Sequence, residues 1–270
     1  MPENHATPKI IAVVNQKGGV GKTTTAINLA TALAATDRKT LMVDLDPQGN
    51  ASTGLGIGQK ERANSIYDVL VGSAALDDVI VGTDVPKLMV APANVDLAGA
   101  ELELIDHPRR SHQLKDALED LVHTHEADPY DYILIDCPPS LNLLTLNALT
   151  SADSVLVPLQ CEFFALEGLS LLLRTIKRVQ DGLNPDLTME GVVLTMYDGR
   201  NNLARQVQED VRDYLGDQVF ETVIPRNIRL SEARGGGMPA LIFDHRCVGS
   251  TAYIALASEL LRRNNRLQAA

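Results

Sequence analysis

Short apolar runs alternate with helical stretches along most of the chain. Lys9-Ile10-Ile11-Ala12-Val13-Val14 is the first run, followed by a glycine loop and a helix expected over roughly 23–35. Thr40-Leu41-Met42-Val43-Asp44 is the second, followed by a Gly-rich loop that ends near Gly58. A weaker strand is expected at 88–91 and a polar helix over about 111–123. Strong runs return at Tyr132–Asp136, Ser154–Val157, Gly191–Thr195 and Phe220–Ile224, and 252–267 has a helical pattern. Continuous apolar runs, rather than strict alternation, mark strands buried on both faces. Such strands alternating with helices predict an α/β fold: a single-domain, doubly wound, mostly parallel sheet flanked by helices. Ligands are then expected at the carboxyl ends of the strands. No repeat or Pro/Gly/Ser-rich linker divides the chain, so residues 1–8 read as a flexible tail and 9–267 as one domain.

Composition narrows the class. With 270 residues, 45% hydrophobic and 22% charged, the chain can bury a sizeable core, which excludes disorder as its main state. No apolar run approaches the roughly 18–20 residues of a membrane-spanning helix. Met1-Pro2-Glu3-Asn4-His5 lacks the basic-then-apolar order of a signal peptide. Cys137, Cys161 and Cys247 are odd in number and far apart, which suits neither a disulfide framework nor a zinc site. The expected location is the cytoplasm. A net charge of -11 opposes general coating of nucleic acid, so any nucleic-acid contact must come from particular arginines.

The strongest chemical signal is Asn15-Gln16-Lys17-Gly18-Gly19-Val20-Gly21-Lys22-Thr23-Thr24, between a strand and a helix. Glycines allow backbone N–H groups to turn around phosphate oxygens, and the helix N-terminus favours an anion. Lys22 is placed to reach phosphates and the Thr23 hydroxyl to hold Mg²⁺. The standard phosphate-loop spacing fails at Gln16, where a glycine is expected, and an additional lysine, Lys17, stands at the front of the loop. Asp44 and Asp46 close the second apolar run, and Asp136 closes another. A single strand-end aspartate commonly forms a turn; three beside a phosphate loop suit a cation or an attacking water. Cys137, with no matching histidine, reads as a packed thiol.

Lys17-Gly18-Gly19-Val20-Gly21-Lys22-Thr23-Thr24 resembles the deviant Walker A motif, with Asp44–Asn50 and Asp136–Ser140 similar to its two switch segments. The segments Pro158–Gly168, Leu194-Thr195-Met196-Tyr197-Asp198 and Val223–Ala233 further resemble the ParA/Soj chromosome-partitioning ATPases, and the likeness spans about 9–260. The resemblance implies an ATP/ADP-binding, Mg²⁺-dependent ATPase with slow intrinsic turnover. It also implies a homodimer with ATP that would coat double-stranded DNA without sequence preference and be released when a ParB-like partner stimulates hydrolysis. Gly18, Gly19, Val20, Gly21, Lys22, Thr23 and Thr24 would hold the phosphates, and Met196, Pro225, Arg226 and Asn227 would lie by the adenine. Lys17 would reach the other protomer's phosphates, with Gly18 where the two loops face each other. Asp46 would orient the attacking water, and Thr23, Asp44 and Asp136 would serve Mg²⁺, the two carboxylates through water.

The implied DNA contacts map to Arg200 and Arg229, with Arg226, Arg205 and Arg234 as neighbours; guanidinium groups suit phosphate oxygens, and such contacts carry no sequence information. This chain departs from the family pattern at Arg234-Gly235-Gly236-Gly237-Met238, where a proline usually stands at 234 and a lysine at 238. A MinD-like membrane cycle would need a C-terminal amphipathic anchor, and the end of 252–267 offers few bulky apolar residues. A ParA-like ATPase positioning a different cargo is the other alternative. A nucleoid-associated protein with no stable membrane association is expected.

Overall fold

The computed structural model describes residues 7–268; positions 1–6 of the expected tail lie outside the described residues. The strands are β1 (Lys9–Val13), β2 (Thr40–Asp44), β3 (Val81–Gly82), β4 (Leu88–Ala91), β5 (Tyr132–Asp136), β6 (Ser154–Gln160), β7 (Thr188–Tyr197) and β8 (Val219–Pro225). The helices are α1 (Lys22–Ala35), α2 (Asn50–Gly54), α3 (Ile66–Leu70), α4 (Leu76–Val79), α5 (Ala100–Glu103), α6 (Gln113–Thr124), α7 (Leu143–Ser151), α8 (Ala165–Gly182), α9 (Asn202–Leu215), α10 (Ile228–Gly235), α11 (Ala240–Phe243) and α12 (Val248–Gln268). The strands form one sheet in the order β3-β4-β2-β5-β1-β6-β7-β8. Every pairing is parallel except β3 with β4.

Helices cover both faces of this sheet. One apolar layer gathers Leu118 and Leu121 of α6, Leu144 and Ala148 of α7, Leu172 and Ile176 of α8 and Val207 and Val211 of α9. The other is built from Ile27, Leu29 and Leu33 of α1 with Tyr253, Leu256 and Leu260 of α12. Helix α1 lies between sheet and α12, with eleven of its fourteen residues buried, which explains why its sequence is Ala/Leu-rich rather than amphipathic. Tyr253, Leu256, Ala257 and Leu260 of α12 are committed to the core, and among the described residues no helix is long and apolar enough to cross a membrane.

The structure adds three features that apolar patterning does not anticipate. Helix α2 interrupts the expected loop before Gly58, because the backbone N–H and hydroxyl of Ser52 both bond to Asp44. The two-residue β3 closes one edge against β4. Strand β7 begins earlier than expected and carries a bulge: Met189 and Gly191 pair with successive residues of β6, leaving Glu190 as the extra residue. Glu190 turns to the Ser154 hydroxyl at 2.6 Å and the Lys9 ammonium at 3.6 Å.

At the opposite edge, β8 has side chains on its outward backbone groups. Glu259, buried on α12, accepts from the N–H groups of Glu221 and Thr222 at 2.8 and 2.9 Å. Arg263 donates to the Val219 carbonyl at 2.9 Å, and Arg212 to the Phe220 carbonyl at 3.0 Å.

The bulge fixes a glycine. Gly191 has φ +150°, and a Cβ there would lie 2.6 Å from a Phe220 ring carbon and 2.8 Å from the Gln218 carbonyl oxygen. Gly191→Ala is expected to lower unfolding free energy by at least about 2 kcal/mol, measured by urea denaturation. A variant as stable as the parent would show that β7 can shift away from β8.

Candidate active site

Sheet register assembles the site. Within the parallel ladders Val13 pairs with Asp136, and Asp136 with Asp44, so the ends of β1, β5 and β2 lie level and their following loops emerge together. Adjacent strands lie only about 4.8 Å apart, which forces the two aspartates into proximity. Both are fully buried.

The loop after β1 is pinned at two points. Asn15 donates from Nδ2 to the Pro158 carbonyl at 2.8 Å, and the Thr195 hydroxyl donates to the Val20 carbonyl at 2.7 Å. Helix α1 then begins at Lys22 behind the N-cap Gly21, and among the described residues no side chain caps its N-terminus. Lys22 is buried, and its ammonium donates back across the loop to the Lys17 carbonyl at 3.0 Å. Burial pushes its pKa down, while Asp136, Cys137 and Asp46 pull it back up. Lys17 faces outward, its side chain half exposed and ion-paired with Glu162, the residue three positions before α8.

Asp44 and Asp136, alike in sequence, differ in their bonding. Asp44 accepts from the Asp46 N–H at 3.2 Å, the Ser52 N–H at 2.8 Å and the Ser52 hydroxyl at 2.7 Å. Those bonds tie it into its own loop, and the Ser52 hydroxyl in turn accepts from the Ala93 N–H at 3.0 Å. Both Asp136 carboxylate oxygens are buried and, among the described residues, have no hydrogen-bond partner at bonding distance. Burial is the main cause raising both pKa values, opposed at Asp44 by Ser52 and reinforced at Asp136 by the Asp44 charge; Asp44 is pushed up to about 6. The nearby Thr23 hydroxyl and Lys22 charge offset the shift at Asp136 only in part. A buried carboxylate without a partner is costly unless something compensates it. Asp136 thus fits a hydrated divalent cation at the phosphate loop. Among the described residues no three His, Cys, Asp or Glu side chains gather to hold a metal, so such a cation would need Thr23, water and phosphate oxygens as well.

The loops enclose a cleft of about 420 Å³, lined by Gly18, Gly19, Gly21, Lys22, Thr23, Thr24, Asp46, Gln48, Asn50, Pro139, Met196, Ser231 and Arg234. Asp46 is buried at its wall, and its carboxylate accepts from the Gln48 N–H at 3.0 Å. A second hollow of about 290 Å³ shares Gly21, Thr24, Met196 and Ser231 with the first. It adds Pro225, Arg226 and Asn227 with apolar walls from Ile224, Leu230 and Tyr253, a shape suited to a flat heteroaromatic ring. Met196, at the junction, has φ +48°, a strained backbone that tertiary contacts must impose.

Most of the expected site residues therefore converge. Cys137 is fully buried and its thiol pKa is raised by burial, in keeping with a packed thiol. The five arginines divide. Arg200, in the loop after β7, forms a bidentate pair with Asp198, whose carboxyl it holds at about 2. Arg229 pairs with Glu232 at 2.9 Å and Asp244 at 3.7 Å, and Arg205 bonds to the Asn202 side-chain oxygen. Arg226 and Arg234 instead line the two hollows. Sequence reasoning assigns no role to Gln48, Asn50 or Ser231 on the cleft wall, nor to Arg62. Arg62 is buried after α2 and donates to the carbonyls of Gly49 and Ile57, both at 3.2 Å, and to the Thr53 hydroxyl at 2.8 Å. Its only sequence signal is a charge in an otherwise ordinary stretch.

Comparison with known proteins agrees with this geometry. The AAA domain family model matches residues 8–189. The chain is 58% identical over 261 residues, 97% of each chain, to the chromosome partitioning protein ParA of Caulobacter vibrioides. It is 54% identical over 252 residues to the sporulation initiation inhibitor protein Soj of Bacillus subtilis, covering 93% of this chain and 98% of that one. Among solved structures, cobyrinic acid a,c-diamide synthase from Mycobacterium smegmatis, with a bound ATP analog and magnesium, superposes with a TM-score of 0.83 at 40% identity, covering 96% of each chain.

The unpartnered Asp136 carboxylate sets a measurable expectation. A carboxyl whose folded pKa is raised stabilises the fold while protonated and loses that contribution as pH climbs through the raised value. The parent therefore loses stability with rising pH, and Asp136→Asn is expected to be about 1–3 kcal/mol more stable at pH 8, with a smaller gain at pH 5. Denaturation at the two pH values, without nucleotide or Mg²⁺, measures it; no gain at pH 8 refutes the account.

Proposed function

Because this chain belongs to the ParA/Soj family of chromosome-partitioning ATPases, we propose that it hydrolyses ATP with Mg²⁺ in a cycle that moves DNA. ATP binding assembles a homodimer, the dimer holds double-stranded DNA without sequence preference on the nucleoid, and hydrolysis stimulated by a ParB-like partner releases it. The observation that carries this reading is the convergence of Lys22, Thr23 and Asp46 on one cleft, with the buried Asp136 close enough to all three to feel their charge or hydroxyl and Lys17 facing outward.

Each chain residue then has a physical task. The open N-terminus of α1 and the Lys22 ammonium bind and orient the phosphates. Mg²⁺ supplies charge neutralisation at the phosphate oxygens, with the Thr23 hydroxyl and, through water, Asp136 to hold it. Asp44 keeps α2 and the Asp46 loop in place through Ser52. Asp46 orients the attacking water. Lys17 acts on the other protomer's phosphates, in the manner of an arginine finger given in trans, so hydrolysis depends on assembly. Its pairing with Glu162 involves two half-exposed side chains and is worth about 0–1 kcal/mol, little hindrance to exchanging a carboxylate for phosphate. The burial of Tyr253, Leu256 and Leu260 leaves those residues of α12 unavailable to a membrane, against the membrane-cycling alternative.

Binding to a random-sequence duplex tests the reading. Salt-sensitive binding is expected with ATP, not with ADP or without nucleotide, and Asp46→Ala should bind DNA at least as tightly as the parent while hydrolysing ATP much more slowly. Equal DNA binding in all three nucleotide conditions overturns the switch, and brisk hydrolysis by Asp46→Ala overturns its water-orienting role. Lys17→Ala is expected to keep ATP binding but lose the ATP-dependent dimer in light scattering; a normal dimer removes the in-trans role.

A further inference from the structure

Arg234 is where this chain departs from the family pattern, and the sequence places it among candidate DNA contacts. The structure puts it elsewhere. It lies in the last turn of α10 and lines the same cleft as Lys22, Thr24 and Asn50. Two glycine contacts hold it there. A Cβ on Gly54, at the end of α2, would lie 3.6 Å from Arg234 Cγ, so the arginine stem runs over the bare glycine. Three residues later Gly237, at φ +69°, backs onto α2: a Cβ there would meet the Thr53 carbonyl oxygen at 3.3 Å. The glycine run therefore brings the end of α10 against the end of α2, with Arg234 on the cleft wall.

The guanidinium also lacks the partners that occupy the other candidates. Arg200 and Arg229 are paired with carboxylates, whereas Arg234 has no carboxylate within 4.0 Å and its side chain makes no hydrogen bond among the described residues. A permanently charged fork with five free donors beside a phosphate loop is matched to phosphate oxygens.

We propose that Arg234 is a ligand of the bound nucleotide's phosphate chain, supplied by the same protomer as Lys22, rather than a DNA contact. This rests on reading the cleft as the ATP site. A proline at this position would supply neither charge nor donor, so the substitution gives this chain a second basic phosphate ligand and a slower release of nucleotide.

The test is equilibrium and stopped-flow binding of a fluorescent ADP analogue to the full chain, with Mg²⁺ and without DNA. Arg234→Ala is expected to weaken binding roughly tenfold, mainly through faster dissociation, as for loss of one charge-assisted hydrogen bond. Arg234→Lys, which keeps the charge, should recover most of the affinity, and Arg234→Pro should behave like the alanine variant. Unchanged ADP binding by Arg234→Ala overturns the proposal, as does equal weakening in the alanine and lysine variants, which would indicate stem packing alone. Lys22→Ala is measured alongside: if it loses ADP while Arg234→Ala does not, the nucleotide site stands and only this inference falls. If the parent chain binds no ADP, both fall.

Discussion

Asp44 and Asp136 end neighbouring parallel strands at one level of the ladder, inside the protein, and everything at the site follows from how that crowding of carboxylates is relieved. Asp44 is satisfied from within, by Ser52 and by the backbone of Asp46, and this bonding folds α2 and sets the Asp46 loop at the cleft. Asp136 has no such relief, so it remains the place where a cation gains most. A bound Mg²⁺–nucleotide would supply the compensation that the chain does not.

Much of this is legible in the sequence, for identifiable reasons. Strands buried on both faces must be continuously apolar, so β1, β2 and β5 declare themselves, and a phosphate loop must be glycine-rich. What apolar patterning cannot express is set by bonds between particular residues. Helix α2 depends on the bonds from Ser52 to Asp44, eight residues upstream, rather than on periodicity. Strand β3 exists only by pairing with β4, and the need for glycine at the β7 bulge comes from Phe220 and Gln218 on the neighbouring chain segment. Asp44 and Asp136 look equivalent as strand-ending aspartates, and only their bonding separates them. Arg234 falls in with its sequence neighbours because the distance its loop travels back to α2 has no local signature.

Three of the charged groups expected to meet DNA or a second protomer share a feature. Lys17, Arg200 and Arg229 each have a carboxylate of the same chain in contact. In a chain of net charge -11 this lowers the idle attraction of any one cation for phosphate. Exposed pairs are individually weak and open at little cost. Under the proposed cycle, several opening together on two protomers would make binding depend more steeply on assembly than one bare patch would.

The side chains on β8 bear on a different matter. An outermost strand ordinarily offers a row of backbone donors and acceptors to any passing strand. Here Glu259, Arg263 and Arg212 already occupy those groups. Copies gathered at high local density can stand side by side without templating one another into a continuous ribbon, and a partner cannot join by adding a strand at that margin. In the proposed cycle, contact between copies would then fall to the surface where the strands end, beside whatever fills the cleft.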